Sequence, residues 1–273
     1  MANYIFIYSA IILYLACSAL LFFSIKQTAG QTADKPGALT KKQILLIGLA
    51  GLVLHSLALY HSMAIAEGIN LGFFNALSLT SAVIVLLTLV AAWRYPVEIL
   101  LTILLPIAAF TMSLDINSST DHLLPANSTS GLIFHILASI IAYSVLALAA
   151  LQAILLWIQN KLLHSHQPGG IIRLMPPLKN MEVLLFEVIV VGFIALTVSL
   201  GSGLIFLENM FAQHMVHKTV LSIFAWFVFL ILLFGHWKLG WRGRTAIRWT
   251  LAGFVSLMLA YFGSKFVLEI LLS

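Results

Sequence analysis

The sequence predicts an all-α, polytopic membrane protein of about eight transmembrane helices, and three observations support this. Of its 273 residues, 62% are hydrophobic and only 8% are charged, more apolar surface than a soluble domain can hide. The apolar residues gather into eight segments, most of them long enough at ~1.5 Å per helical residue to cross a hydrocarbon core of ~30 Å. When these segments are threaded alternately, twelve of the fourteen Lys and Arg residues fall on one side. The positive-inside rule makes that side the inner one, so the N- and C-termini are both expected outside.

The first segment, Tyr4–Ser24, has no Lys or Arg before it and Lys26 after it, the reverse of a cleaved signal peptide. The inner linker Ile25–Lys42 is rich in Gly, Thr, Gln and Lys, a loop composition. It leads to Gln43–Ile65, where Gly48 and Gly51 are small enough to let helices approach closely. Leu71–Trp93 returns inward to Arg94, and Val97–Ser113 runs out to the largest outer loop, Leu114–Gly131. Leu132–Trp157 brings the chain back to the inner stretch Asn160–Glu182, whose Pro176-Pro177 pair must interrupt a helix. Val183–Phe206 carries a second small-residue run, Gly201-Ser202-Gly203, and is followed by the polar outer segment Leu207–Lys218, suited to a short surface helix. Thr219–His236, the tight basic turn Trp237–Arg248 and Trp249–Leu271 complete the chain. Trp93, Trp157, Trp237, Trp241 and Trp249 all lie at the inner boundary, where amphipathic rings settle; Trp226 alone is mid-helix. No stretch is long enough for a soluble domain and no internal repeat is visible, so residues 1–273 are expected to form one integral membrane domain.

These features exclude several functions. The net charge of +5 comes from short loops on one face and is not a nucleic-acid footprint, so the expected surroundings are membrane lipid and no nucleic acid. Cys17 is the lone cysteine, which rules out an internal disulfide, a Cys-based metal site and the Cys-x-x-Cys-His of a covalent c-type cytochrome. There is no His-Glu-x-x-His and no Gly-x-Ser-x-Gly, and an acidic partner for a Ser-His pair is missing from the membrane interior. The protein is not expected to be an enzyme.

Polar groups inside the apolar segments carry most of the functional information, because an ionisable side chain in hydrocarbon costs several kcal/mol unless paired or wetted. Of nine histidines, His122 and His214 fall in outer loops and His164 and His166 in an inner one, and these four are read as solvated. The other five are His55 and His61 in the second segment, His135 near the outer end of the fifth, and His217 and His236 at the outer and inner ends of the seventh. His135 and His217 share a depth to within ~6 Å at 1.5 Å per residue. Neutral imidazoles on helices at matched depth are what a membrane protein needs to hold iron. Taken singly, each histidine would fit equally well as a hydrogen-bonding packing residue. A haem-free accessory or transport subunit, with the histidines on a divalent cation, is the rival reading.

Only Lys218 and Lys265 are left as outer cations, and Lys265 shares a helix face with Glu269 at i, i+4. Either lysine can snorkel to the interface, or the two can receive an anionic group such as a haem propionate.

Several motifs resemble the cytochrome c assembly proteins, the CcsA/CcmC-like integral membrane proteins. The main one is Leu174-Met-Pro-Pro-Leu178-Lys-Asn-Met-Glu182-Val-Leu-Leu-Phe186-Glu187, followed by Gly192-Phe193-Ile-Ala-Leu196-Thr197 and Gly201-Ser202-Gly203. His135-Ile-Leu-Ala-Ser139-Ile-Ile-Ala-Tyr143 is similar to the family's outer-histidine helix. Lys218-Thr219 with Trp226 is similar to its lysine–threonine–tryptophan stretch, and His236 with Gly240-Trp241-Arg-Gly243-Arg, Gly253-Phe254 and Tyr261 is similar to its closing hairpin. The likeness spans roughly residues 55–270 and is strongest to the short YpjD- and HemX-like branch. It implies a multi-pass protein of the bacterial inner membrane that binds haem b non-covalently by bis-histidine ligation. The implied role is in cytochrome c or haem-protein biogenesis, with another membrane subunit or an apocytochrome as partner. By the same resemblance His135 takes the outer-ligand role and His236 the ligand role within the membrane. His55 is a further candidate, and His217 is placed opposite His135 by depth. Two family features have no counterpart: no tryptophan occurs between Gly203 and Lys218, and Ser264 and Lys265 stand where a second outer histidine is expected.

Overall fold

Each apolar segment forms a helix in the computed structural model, which describes residues 2–29, 39–65, 68–115, 123–125, 128–164, 175–206, 216–263 and 266. The helices are α1 (Ala2–Ala29), α2 (Lys41–Met63), α3 (Phe73–Ala92), α4 (Glu98–Asp115), α5 (Ser130–His164), α6 (Leu178–Phe206), α7 (Val216–Leu239) and α8 (Gly243–Met258), the last continuing as a π-helical turn, Leu259–Gly263. Seven of these are long and apolar enough to cross a membrane, α8 counted together with its π turn. The shorter α4 is equally apolar and contains Pro106.

Local chemistry sets the boundaries. Thr40 caps α2 by a reciprocal box: its hydroxyl accepts the Gln43 N–H, and the Gln43 side-chain oxygen accepts the Thr40 N–H at 2.8 Å. α5 runs on to His164, past the end at Trp157 expected from sequence, and the Lys161 ammonium lies 5.4 Å from the centre of the Trp157 ring. α8 begins at Gly243 rather than Trp249. Three short strands also form: the first takes the end of the segment expected as helix, Gln43–Ile65, and the other two fall in stretches expected as loop. β1 (Ala64–Ile65), β2 (Gly68–Asn70) and β3 (Leu123–Pro125) form an antiparallel sheet in that order. Strands of two or three residues are too short to show an alternating pattern.

The chain divides into two compact units, residues 1–126 with 168–176, and residues 127–167 with 177–273. In the first, α1 packs on α2 and α4, and α3 packs on the same two helices, the ring of an up-and-down bundle. An ion pair between Lys41 and Glu98 joins the starts of α2 and α4, and the sheet gathers connections at the opposite end. Pro106 lacks the N–H that would bond the carbonyl of Thr102. The Ser18 hydroxyl of α1 donates to that freed carbonyl at 2.8 Å. A Cβ at Gly51 would lie 2.8 Å from the Tyr14 ring, so α1 and α2 approach closely, as the small-residue run predicts.

In the second unit, α5 packs on α6 and α8, and α7 packs on α6 and α8. A Cβ at Gly192 would meet Leu146 at 2.5 Å, which sets the close approach of α6 to α5. Gly201 behaves differently from expectation: a Cβ there would meet nothing within 4 Å, and it is the neighbouring Ser202 that touches α5. Trp226 satisfies its indole N–H on the Thr197 hydroxyl at 2.9 Å and stacks on Phe193.

Candidate functional site

His135 stands on the second turn of α5, facing α6. Its Nδ1 lies 3.0 Å from the carbonyl oxygen of Ser199 and 3.1 Å from the Ser202 hydroxyl. A carbonyl oxygen only accepts, so Nδ1 carries the proton and donates it. Nε2 is then the unprotonated nitrogen, with its lone pair available. Ser139, one turn further along α5, donates to the His135 carbonyl at 2.7 Å and bonds the Ser199 hydroxyl at 2.7 Å. The Ser202 hydroxyl donates to the Ser199 carbonyl at 2.7 Å. Three serines and one histidine thus cross-link α5 to α6 at this level, and Ser199 and Ser202 are buried.

His236 occupies the last turn of α7 and is held the same way by different elements. After α7 the chain reverses through Gly240 and Gly243, whose φ values of +67° and +54° favour glycine. The reversal brings the Trp241 N–H to the Gly235 carbonyl at 3.1 Å and the Trp241 carbonyl to His236 Nδ1 at 2.9 Å. The Trp241 ring covers Gly235 so closely that a Cβ would overlap it. From α6, Phe186 stacks on the imidazole, with ring centres 3.5 Å apart and planes 16° apart. Here too Nδ1 is the donor and Nε2 is left with the lone pair.

An open cleft of about 560 Å³ borders His236, within the range of ~300–1,000 Å³ usual for small-molecule sites. Its walls are apolar, from Val183, Phe186, Val190 and Leu233 among others, and Lys179, Glu182, Glu187 and Arg242 add charge. The Glu182 carboxylate accepts the Gly243 N–H at the start of α8, which ties the α7–α8 turn to α6.

His55 has both nitrogens engaged. It is fully buried in the first unit, with Nδ1 3.2 Å from the Tyr14 hydroxyl and Nε2 2.9 Å from the Ser78 hydroxyl. These bonds link α1, α2 and α3. The neighbouring His61 is exposed and stacks on Phe6.

His217 is the second residue of α7, exposed, and makes no hydrogen bond among the described residues. Lys218 follows it in the first turn of the same helix. Lys265, with Ser264 and Glu269, lies outside the described residues, as do His122, His166 and His214. His164 is the last residue of α5, where its Nδ1 bonds the carbonyl of Asn160 at 2.8 Å, but it is exposed. Among the described residues no three His, Cys, Asp or Glu side chains gather into a metal-binding group. A zinc site would need three or four such ligands, whereas haem iron takes one or two axial ones from the protein.

Sequence reasoning did not single out Ser139, Ser199 or Ser202 as partners of His135, nor the Trp241 carbonyl as that of His236. The serines did leave a signal: Ser139 follows His135 by four residues, and Ser199 and Ser202 are three apart, so each pair shares a helix face. A backbone carbonyl leaves none.

The model of the cytochrome c assembly protein family matches residues 43–272. Over 248 residues the chain is 34% identical to the inner membrane protein YpjD of Escherichia coli K12, covering 86% of this chain and 92% of that protein. It is 30% identical over 274 residues to an uncharacterized 28.8 kDa protein of Azospirillum brasilense, covering 94% and 96%. Identity to the cytochrome c biogenesis protein CcsA of Chlamydomonas reinhardtii is 26% over 149 residues, covering 54% and 41%. No solved structure matches.

Proposed function

Because the chain belongs to the cytochrome c assembly protein family, we propose that it is a multi-pass inner-membrane protein that holds haem b non-covalently in the service of cytochrome c or haem-protein biogenesis. The observation that carries this reading is the shared state of His135 and His236. In each, Nδ1 donates to a backbone carbonyl of another segment, an arrangement that fixes the tautomer and ring direction of iron-binding histidines and leaves Nε2 as the ligand atom.

The residues fit haem better at these two positions than at His55, whose nitrogens are both committed to hydroxyls. His135 is assigned as the ligand at the outer level, with His217 as candidate for the opposite axial position because both stand near the starts of their helices. His236 is assigned as ligand at the other end of the second unit, where the apolar cleft borders it. Bound haem supplies the iron and a flat apolar body. The chain supplies imidazole nitrogens, an apolar wall and cations for the carboxylates. Lys218 and Lys265 are the candidates for that last part at the outer level. The partner is an apocytochrome or another membrane subunit.

The test is the haem content of protein purified from a haem-replete host, measured as pyridine haemochrome. His135→Ala and His236→Ala should each lower haem per folded protein and the double variant should abolish it. Full haem content in the double variant would refute the assignment.

A further inference from the structure

The turn that supplies His236 with its acceptor has little stiffness of its own. It runs between Gly240 and Gly243, at φ values of +67° and +54°, and glycine takes either hand of backbone with little preference. A Cβ at either position would meet nothing within 4 Å, so both serve conformation and not close approach. The direction of the Trp241 carbonyl is then selected by the bonds on its two sides. On one side, the Gly235 carbonyl holds the Trp241 N–H at 3.1 Å. On the other, the Glu182 carboxylate of α6 holds the Gly243 N–H.

Glu182 stands where a helix cap would. α8 starts at Gly243 after Arg242, whose side chain makes no capping bond and has only donors to offer. A carboxylate from another helix takes that place, and the positive end of the helix dipole favours it. Among the described residues Glu182 makes no ion pair. Phe186, one turn along the same face of α6, stacks on the imidazole. One face of α6 therefore addresses both halves of the site: Phe186 meets the ring, and Glu182 meets the turn that carries its acceptor. We infer that Glu182 is a positioning residue for His236: its hold on the Gly243 N–H keeps the Trp241 carbonyl on Nδ1–H and so keeps Nε2 unprotonated. This rests on the haem reading for the use made of Nε2, and adds to it the side chain that holds that nitrogen ready. A carboxylate that only capped α8 would stabilise the helix and leave the imidazole unaffected.

The experiment reads the imidazole directly, in full-length haem-free protein labelled with 15N-histidine and reconstituted in nanodiscs. At about pH 8, above the usual histidine range, the 15N signals that vanish in His236→Ala identify this residue. The wild type should show one tautomer, with the proton on Nδ1. Glu182→Ala should show a mixture of the two, and Glu182→Gln, whose amide oxygen can still accept the Gly243 N–H, should restore the single form. Glu182→Asp keeps the charge but falls one methylene short, so it should mix the tautomers and decides the matter if the Ala variant does not fold. Gln152→Ala removes a different bond to α6, on the Met181 carbonyl, and should leave the tautomer as it is. An unmixed tautomer in Glu182→Ala would overturn the positioning role, as would equal mixing in Gln152→Ala, which would reduce it to general loosening of α6. Haemin titration in a His135→Ala background separates this from ligation: adding Glu182→Ala should weaken binding about tenfold. If the His135→Ala protein takes up no haemin, ligation by His236 fails and the tautomer alone decides the positioning. If it binds haemin equally with and without Glu182, ligation stands and the positioning role is overturned.

Discussion

The imidazole of His236 donates its Nδ1 proton to the carbonyl of Trp241 at 2.9 Å, so the direction of this histidine is set by the turn that follows its own helix. The same turn seats the Trp241 ring over Gly235 and returns its N–H to the Gly235 carbonyl. Three contacts between two adjacent pieces of chain therefore hold one ring, and Phe186 closes its face from α6. The histidine and the basic turn act as one unit.

Gly235→Ala tests that unit without touching an imidazole. The added methyl overlaps the Trp241 indole, so the turn must shift and His236 loses its acceptor. Overpacking of this kind costs about 1–3 kcal/mol. The expected outcome is a lower thermal midpoint in detergent together with loss of the haem assigned to His236. A variant that is destabilised yet keeps the wild-type haem spectrum would show that the Trp241 bond does not matter for ligation.

Around His135 the serines and the carbonyl separate cleanly. Ser202→Ala removes one hydroxyl partner of His135, but the Ser199 carbonyl still accepts Nδ1–H. The expected loss is about 0.5–1.5 kcal/mol of stability with haem content close to wild type. His135→Ala should instead remove haem from this level or turn it high-spin. Equal haem loss in the two variants would mean that the hydroxyl, and not the imidazole, governs binding.

His55→Ala is the control in the other unit. It strips a partner from the buried Tyr14 and Ser78 hydroxyls and leaves a cavity, a combined cost of about 2–5 kcal/mol. Unfolding of the variant should therefore start earlier, while haem per folded protein stays at the wild-type level. A selective fall in haem content, with stability unchanged, would make His55 a ligand after all.

Orientation is tested by accessibility. In a Cys17→Ser background, a cysteine at Ser128 should react with an impermeant thiol reagent in spheroplasts, and one at the exposed Tyr95 should react only after lysis. The reverse pattern would overturn the threading that places twelve basic residues inside.

The order of the eight helices was legible in the sequence because apolar length and loop charge are summed over many residues, and single errors average out. The end of α5 was misplaced for the same reason: Asn160, Lys161 and His164 are polar, and Leu162-Leu163 is too short an apolar run to mark a helix that continues. The site was legible as residue types but not as bonds. His135 and His236 stood out because imidazoles are rare in such segments. Their acceptors could not be found, because the Ser199 and Trp241 carbonyls belong to the backbone that every residue carries. His55 was legible in the same way, and its two hydroxyl partners, from α1 and α3, are brought to it only by packing.

The most direct measurement is the absorption spectrum of the purified wild-type protein, oxidised and dithionite-reduced, beside His135→Ala and His236→Ala. Haem ligated through Nε2 of these residues predicts the sharp reduced bands of a six-coordinate low-spin b-type haem in the wild type, diminished or converted to high-spin in each variant. A wild-type protein that is colourless after expression in a haem-replete host and fails to take up added haem would contradict the account, as would variants whose spectra match the wild type.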